Sequence, residues 1–258
     1  MGILLLDYGK NKATSGYEYE CLSKEEFAKF NSNVLELGRI SQVGYYLEGL
    51  AAIFDLQGFT DFCNQIDPHL VVPEYLSSFL DWIFKELSNE FVHEKRGGKV
   101  MLWGRLPFFS KFLGDGILFL WNTKDMRPED FGSIVATLYE VCMSYSKTFY
   151  PKIEKEVAKP PKQLRCGIAR GQIIAIGDGR DFVGACINVA ARLQKLSHLS
   201  FAFSRRGLDL RTCFEEDWYK EFLLARVAIR GIGEKELIYI LKEEYEKLPP
   251  EQKALFEA

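Results

Sequence analysis

Two aspartates stand at the ends of apolar segments, each beside a glycine. Asp55 closes the run "LAAIF" and is soon followed by Gly58, and Asp115 lies between Gly114 and Gly116. A lone acid at a strand end is usually a turn former. Two such acids on neighbouring strands can instead hold one or two hard cations, Mg²⁺ or Mn²⁺, through carboxylate oxygens. The residues alone leave both interpretations open.

The residues after Asp55 suit phosphate binding. Gly58 lets the backbone approach a phosphate closely, and the amides of Phe59 and Thr60 can point at it. Cations beside phosphates indicate phosphoryl or nucleotidyl chemistry by positioning and charge neutralisation. The chain contains no Walker A loop, and the glycine spacing of "GDGRDFVG" is not that of a dinucleotide-binding fold.

The composition favours a cytoplasmic protein of one or two domains. The 258 residues are 47% hydrophobic, enough for a sizeable core, and 33 basic residues against 36 acidic ones give a net charge of −3. We therefore expect no nucleic-acid partner and no membrane partner. The six cysteines are scattered without a C-x-x-C pair, which predicts reduced thiols.

The hydrophobic patterns predict an α+β fold with helices packed on one face of the sheet. Ser23 and Glu26 form a candidate capping box. The segment 95–109 is predicted as a disordered surface loop, with partner contact as the alternative. The predicted elements are a helix over 23–41, a strand over 46–56, helices over 71–92 and 129–149, a hairpin turning at 114–116, a hairpin over 164–184 turning near Gly171, a helix over 187–196 and two strands around 231–233.

Five blocks, in order along the chain, resemble the signature segments of class III nucleotide cyclases. They are "FDLQGFTDF", "KFLGDGILFLW", "LRCGIARGQI", "DFVGACINVAARLQ" and "IRGIG". The resemblance spans roughly residues 46 to 241 and implies a ferredoxin-like palm sheet. We accordingly expect an N-terminal extension with a helix over 1–45, a catalytic domain over 46–245 and a C-terminal tail over 246–258.

The resemblance also implies roles for individual residues. Its metal ligands would be Asp55, Asp115 and the backbone of Leu56, holding two divalent cations, Mn²⁺ or Mg²⁺. Its triphosphate contacts would be Gly58, Phe59, Thr60, Arg165 and Arg230, the last in place of the family's lysine. Asn188 and Arg192, four residues apart on one helix face, match the pair that orients the ribose and stabilises the transition state. Lys111 and Asp181 match the pair that reads the base.

The implied reaction converts a nucleoside triphosphate into its 3′,5′-cyclic monophosphate and pyrophosphate. In this family the site lies between two catalytic domains, and one chain here carries both halves. A head-to-tail homodimer with two equivalent sites is therefore implied. The alternatives are a catalytically dead nucleotide-binding signalling domain and a palm-type polymerase or diguanylate cyclase, and "INVAAR" argues against the last two enzymes.

The identity of the base stays open on the side chains alone. A lysine and an aspartate can complement adenine, cytosine, uracil or guanine, so pocket size must decide. The chain looks most like the stand-alone bacterial Pycsar anti-phage cyclases, whose cyclic UMP or cyclic CMP activates a separate effector protein. Ile53 also replaces a phenylalanine common in adenylyl cyclases. These features favour a pyrimidine over adenine, and the general look of the sequence favours UTP over CTP, with ATP as the alternative.

Overall fold

The computed structural model describes residues 5–12, 18–38, 40, 44–196, 199–214, 218 and 220–257. The chain divides into two compact units. The first comprises Met1–Tyr46 and Ile174–Val183, and the second comprises Leu47–Ile173 and Gly184–Ala258. The site residues other than Asp181 belong to the second unit.

The first unit contains short elements. They are β1 (Gly9–Lys12), β2 (Glu18–Cys21), α1 (Lys24–Ala28), a 3₁₀ turn (Ser32–Leu35) and β9 (Asp181–Val183), which pairs with the last residues of β8 (Gln163–Ile176). One half of the predicted capping box is confirmed, since the Ser23 side chain accepts a bond from the Glu26 amide at 3.0 Å, whereas the Glu26 carboxylate accepts a bond from the Asp7 amide at 3.4 Å.

The predicted helix over 23–41 is too long, because α1 ends at Ala28. Asn31 starts a separate turn by accepting a bond from the Asn33 amide at 2.9 Å. Asparagine side chains compete in this way with helical backbone bonds. Residues 39 and 41 lie outside the described residues.

The second unit has strands and helices that alternate along the chain. Its strands are β3 (Tyr46–Gln57, apart from Tyr46), β4 (Val92–Arg96), β5 (Lys99–Leu102), β6 (Phe109–Phe112), β7 (Gly116–Asn122), most of β8, β10 (Phe201–Ser204), β11 (Phe222–Ile229), β12 (Gly233–Leu241) and β13 (Phe256–Glu257). Its helices are α2 (Phe59–Cys63), α3 (Pro68–Phe91), α4 (Pro128–Ser144) with a π-helical extension (Tyr145–Phe149), α5 (Tyr150–Ile153), α6 (Ala185–Leu193), α7 (Leu210–Cys213), α8 (Lys242–Lys247) and α9 (Pro250–Lys253).

The main sheet has the strand order β13-β11-β12-β10-β8-β3-β7-β6. Its described ladders are antiparallel except β8 with β10, which run parallel. This mixture of sheet and helices confirms the predicted α+β class. None of the helices in the described segments is both long and apolar enough to span a bilayer.

Helices α3 and α4 cover one face of the sheet through an aromatic core. Tyr75, Phe79, Ile83 and Leu87 recur at helical spacing on α3 and are buried, which confirms a core-facing helix, although Phe84 of the predicted apolar face is 44% exposed. Alternate residues of β3 meet them, whereas Ile53 and Asp55 point the other way because strand side chains alternate.

The predicted packing of all helices on one face is wrong, because helix α6 packs on the opposite face, at Gly167 of β8. A Cβ atom there would lie 2.2 Å from the Ala190 carbonyl oxygen. Cys166 and Ile168, on either side of Gly167, belong to the core with α3 and α4. The glycine therefore lets α6 approach on the face that also carries Asp55.

The predicted turn near Gly171 is wrong. Strand β8 continues through Gly171, and the chain turns at Gly177–Gly179 instead, where both glycines have positive φ. A Cβ atom at Gly171 would lie 3.3 Å from the Cys186 Cβ. The glycine at this point serves close packing of α6 rather than a turn.

The segment 95–109 is also not wholly a loop. Most of its first half belongs to the β4–β5 hairpin, which turns at Gly97 and Gly98 with positive φ. The hairpin forms its own two-stranded sheet. Val100, Met101, Leu102 and Trp103 are all more than 40% exposed.

Candidate functional site

The two predicted acidic ligands meet where β3 ends beside β7. Asp55 pairs with Gly116 in the antiparallel ladder, and the Leu56 amide donates to the Asp115 carbonyl oxygen at 2.9 Å. Gly114 has a φ of 99°, which suits glycine, and the Leu113 amide closes the turn onto the Gly116 carbonyl. Two carboxylates from segments far apart in sequence thus share one edge of the sheet.

Asp55 is buried and forms an ion pair with Arg165 of β8. The carboxylate is 4% exposed, and the Arg165 Nε donates to its Oδ2 at 3.1 Å, while Nη2 donates to the same oxygen. Burial raises the pKa of Asp55, whereas the hydrogen bond and charge of Arg165 lower it. The Asp115 charge raises this pKa as well, which places the two carboxylates within electrostatic reach of one another.

The predicted phosphate turn begins helix α2. Gly58 has a φ of 84°, and nothing lies within 4 Å of a Cβ built there, so the turn opens to solvent. Phe59 and Thr60 are the first two residues of α2. Cys63 ends this helix, and burial together with the Asp115 charge raises the pKa of its thiol. No sequence motif marks Cys63 as part of this site.

Helix α6 presents its predicted pair to solvent. Asn188 and Arg192 are both exposed on one face of the helix. Lys195 lies three residues after Arg192, is exposed, and its charge lowers the pKa of Asp55. Sequence reasoning missed Lys195, although its spacing after Asn188 and Arg192 puts it near the same face.

The other predicted residues lie on separate elements. Arg230 is exposed in the β11–β12 turn, and Lys111 is half-buried on β6, opposite Leu118. Asp181 begins β9 in the first unit, where its carboxylate accepts a bond from the Phe182 amide at 2.8 Å. The contacts above bring Asp55, Leu56, Asp115 and Arg165 together.

The oxygens at the strand ends suit a hard divalent cation. Asp55 and Asp115 supply carboxylate oxygens, and Leu56, between Asp55 and the turn, supplies a carbonyl. No cluster of three or more His, Cys, Asp or Glu side chains suited to a metal lies among the described residues. Since Mg²⁺ typically takes one or two carboxylates and fills its shell with water and phosphate oxygens, this sparse donor set fits a nucleotide-bound cation.

Comparison with protein-family models gives no match, and neither does comparison with curated protein sequences. Comparison with solved structures does find similar folds. The guanylyl cyclase Cya2 matches with a TM-score of 0.57 at 18% identity, over 78% of this chain and 94% of that one.

Two further solved structures have the same fold. An adenylate/guanylate cyclase/hydrolase from Silicibacter pomeroyi matches with a TM-score of 0.50 at 18% identity, over 77% of this chain and 98% of that one. The catalytic core of a rhodopsin-guanylyl cyclase with converted specificity, in complex with ATPαS, matches with a TM-score of 0.51 at 15% identity, over 76% and 97%. The chain therefore has the fold of class III nucleotide cyclase catalytic domains.

Proposed function

We propose that this protein is a nucleotide cyclase that converts a nucleoside triphosphate into a 3′,5′-cyclic monophosphate and pyrophosphate. The observation that carries the proposal is the position of Asp55 beside Asp115 where β3 and β7 meet: Asp55 pairs with Gly116, and the Leu56 amide donates to the Asp115 carbonyl oxygen. This arrangement occurs on a fold shared with solved cyclases.

The chain's own residues have separable tasks in this reaction. Asp55, Asp115 and the Leu56 carbonyl would hold two divalent cations, Mg²⁺ or Mn²⁺. When bound, such cations neutralise phosphate charge and lower the pKa of a hydroxyl nucleophile. Phe59 and Thr60 would present amides to the triphosphate after the turn at Gly58.

The attack of the ribose 3′-hydroxyl on the α-phosphorus would take place between two copies of the chain. Arg192 would stabilise the charge that develops on the phosphate, and Asn188 would orient the ribose. Their exposure on α6 leaves both side chains accessible to a substrate held by a second copy. Arg165 and Arg230 would bind the released pyrophosphate portion, and Lys111 and Asp181 would read the base.

For the base, we propose a pyrimidine, with UTP ahead of CTP. The support is the resemblance to the stand-alone anti-phage pyrimidine cyclases and the presence of Ile53. This residue lies two positions before Asp55, so both side chains point to the same face of β3. In this proposal the cyclic nucleotide is a defence signal that activates a separate effector protein.

The test is to incubate the purified protein with Mn²⁺ and each of the four ribonucleoside triphosphates, and to identify products by mass spectrometry. We expect cyclic UMP as the main product and a loss of activity of about a hundredfold or more in Asp115→Asn. Asp130→Asn is the matched control, because Asp130 pairs with Arg127 on the surface. Absence of a cyclic product from all four substrates contradicts the cyclase, and cyclic AMP alone contradicts the pyrimidine preference.

A further inference from the structure

The ion pair at Asp55 concentrates two hydrogen bonds on one oxygen. Both Nε and Nη2 of Arg165 donate to Oδ2, and the two side chains are only 15% and 5% exposed. A cation bound to that carboxylate would therefore lie within a few ångströms of the guanidinium. Little solvent is available there to screen the repulsion between the two positive groups.

The charges around the pair are balanced without a metal ion. Two carboxylates, Asp55 and Asp115, face two cations, Arg165 and Lys195, all close enough to influence Asp55. A divalent cation added alone would leave this group with a net positive charge. A triphosphate brings several negative charges and offers the guanidinium oxygen acceptors that match its planar fork.

We propose that Arg165 and a divalent cation compete for Asp55, so that the cation binds weakly alone and enters mainly in complex with the triphosphate, to which the guanidinium then transfers. This inference rests on the proposed function and specifies the form of its substrate. Arg165 thereby acts as an exchangeable counter-ion as well as a phosphate contact. It keeps the buried carboxylate neutralised between turnovers, and it disfavours occupation of the site by free metal.

The experiment measures Mn²⁺ binding without nucleotide, by electron paramagnetic resonance of the free ion. We expect Arg165→Gln to bind Mn²⁺ about tenfold more tightly than the wild type, because the competing cation is gone. Arg127→Gln is the matched control, since it breaks an Arg–Asp pair at 3.3 Å on the surface, and it should bind as the wild type does. The double variant Asp55→Asn with Arg165→Gln should not show the tighter Mn²⁺ binding, because the carboxylate ligand is removed.

Loss of Arg165 leaves a buried carboxylate unpaired, so circular dichroism must show that the variant folds. If Arg165→Gln does not fold, Arg165→Lys replaces it in the test. Lysine keeps the charge but lacks the planar fork of arginine, so we expect this variant to bind Mn²⁺ about threefold more tightly than the wild type. Equal or weaker Mn²⁺ binding in the folded variants overturns the exchange. The assay contains no nucleotide, so its result is independent of whether a cyclic product is ever formed.

Discussion

At the scale of single residues, the lack of a side chain at Gly116 determines how closely β7 approaches β3 beside Asp55 and Asp115. A Cβ atom at Gly116 would lie 1.9 Å from the Phe54 carbonyl oxygen and 3.1 Å from the Asp55 Cα. Both neighbours are backbone atoms of β3, which cannot move aside as a flexible side chain can. The glycine therefore sets the spacing between Asp55 and Asp115.

Substitution of Gly116 by alanine should separate β3 from β7 beside the site. We expect the free energy of unfolding to fall by about 1–3 kcal/mol, as in other overpacked interiors. Urea denaturation measures this loss. Since the two carboxylates would also move apart, Mn²⁺ binding in the presence of a non-cyclisable triphosphate should weaken in the same variant.

Gly171→Ala provides the matched control for this prediction. Its Cβ would meet a side-chain atom, the Cys186 Cβ, at 3.3 Å, so a small shift suffices to relieve the contact. If Gly116→Ala is as stable as Gly171→Ala, the inference that β3 and β7 approach too closely for a side chain at Gly116 is contradicted.

The sequence could predict which residues were candidate ligands but not how they pair. Asp55 and Asp115 stand out because two acids end apolar segments beside glycines within the ordered blocks that resemble cyclases. The partnership of Asp55 with Arg165 spans 110 positions, and it depends on β3 and β8 being neighbours. Lys195 lacked a motif of its own, and its influence on Asp55 becomes apparent only once α6 is packed on β8.

At the scale of elements, local periodicity predicted the long helices and the strong strands. Helix α3 has its buried residues at helical spacing, and the turns at Gly114–Gly116 and Gly231–Gly233 follow from glycine chemistry. The turn predicted near Gly171 is wrong because, in sequence, a glycine needed for close packing cannot be distinguished from one needed for a turn. The β4–β5 hairpin was missed because its exposed strands show no alternation of polar and apolar residues.

Helix α8 is joined to Ser200, the residue before β10, through a half-buried acid whose effect depends on pH. Glu244 accepts hydrogen bonds from the Ser200 amide at 2.8 Å and from the Ser200 hydroxyl. Burial raises the pKa of Glu244 above its ordinary 4.5, against the lowering effect of these bonds. A group with a higher pKa in the folded state stabilises it below the unfolded pKa, and this contribution is lost as the pH rises through the folded pKa.

Glu244→Gln removes this titration, so its effect on stability should depend on pH. We expect the wild type's stability relative to the variant to be greatest near pH 4 and to fall toward pH 7, as measured by urea denaturation at both values. Glu243→Gln is the matched control, because Lys247 lowers the pKa of Glu243, so the wild type's relative stability should rise with pH. The same pH trend in both variants would contradict this reasoning.

At the scale of the whole molecule, one chain carries two half-sites that the proposed reaction needs together. In this proposal Asp55 and Asp115 would form the metal-binding half, and Asn188 and Arg192, which lie exposed on α6, would form the other half. The sequence blocks predict both halves, because each half has its own motif. A single sequence holds no information on how two copies face one another, since that arrangement depends on surfaces rather than on motifs.

The proposed sharing of sites predicts that two inactive variants restore each other. Asp55→Asn removes the metal-binding half and Arg192→Ala the transition-state half, so each homodimer should be inactive. When the two are co-expressed in equal amounts, half of the dimers are mixed, and in each mixed dimer one of the two sites is intact. The mixture should therefore regain about a quarter of the wild-type activity. If the mixed variants are folded and dimeric but stay inactive, each site is built within one chain. Arg192 and Asp55 of the same copy would then have to act on the same substrate molecule.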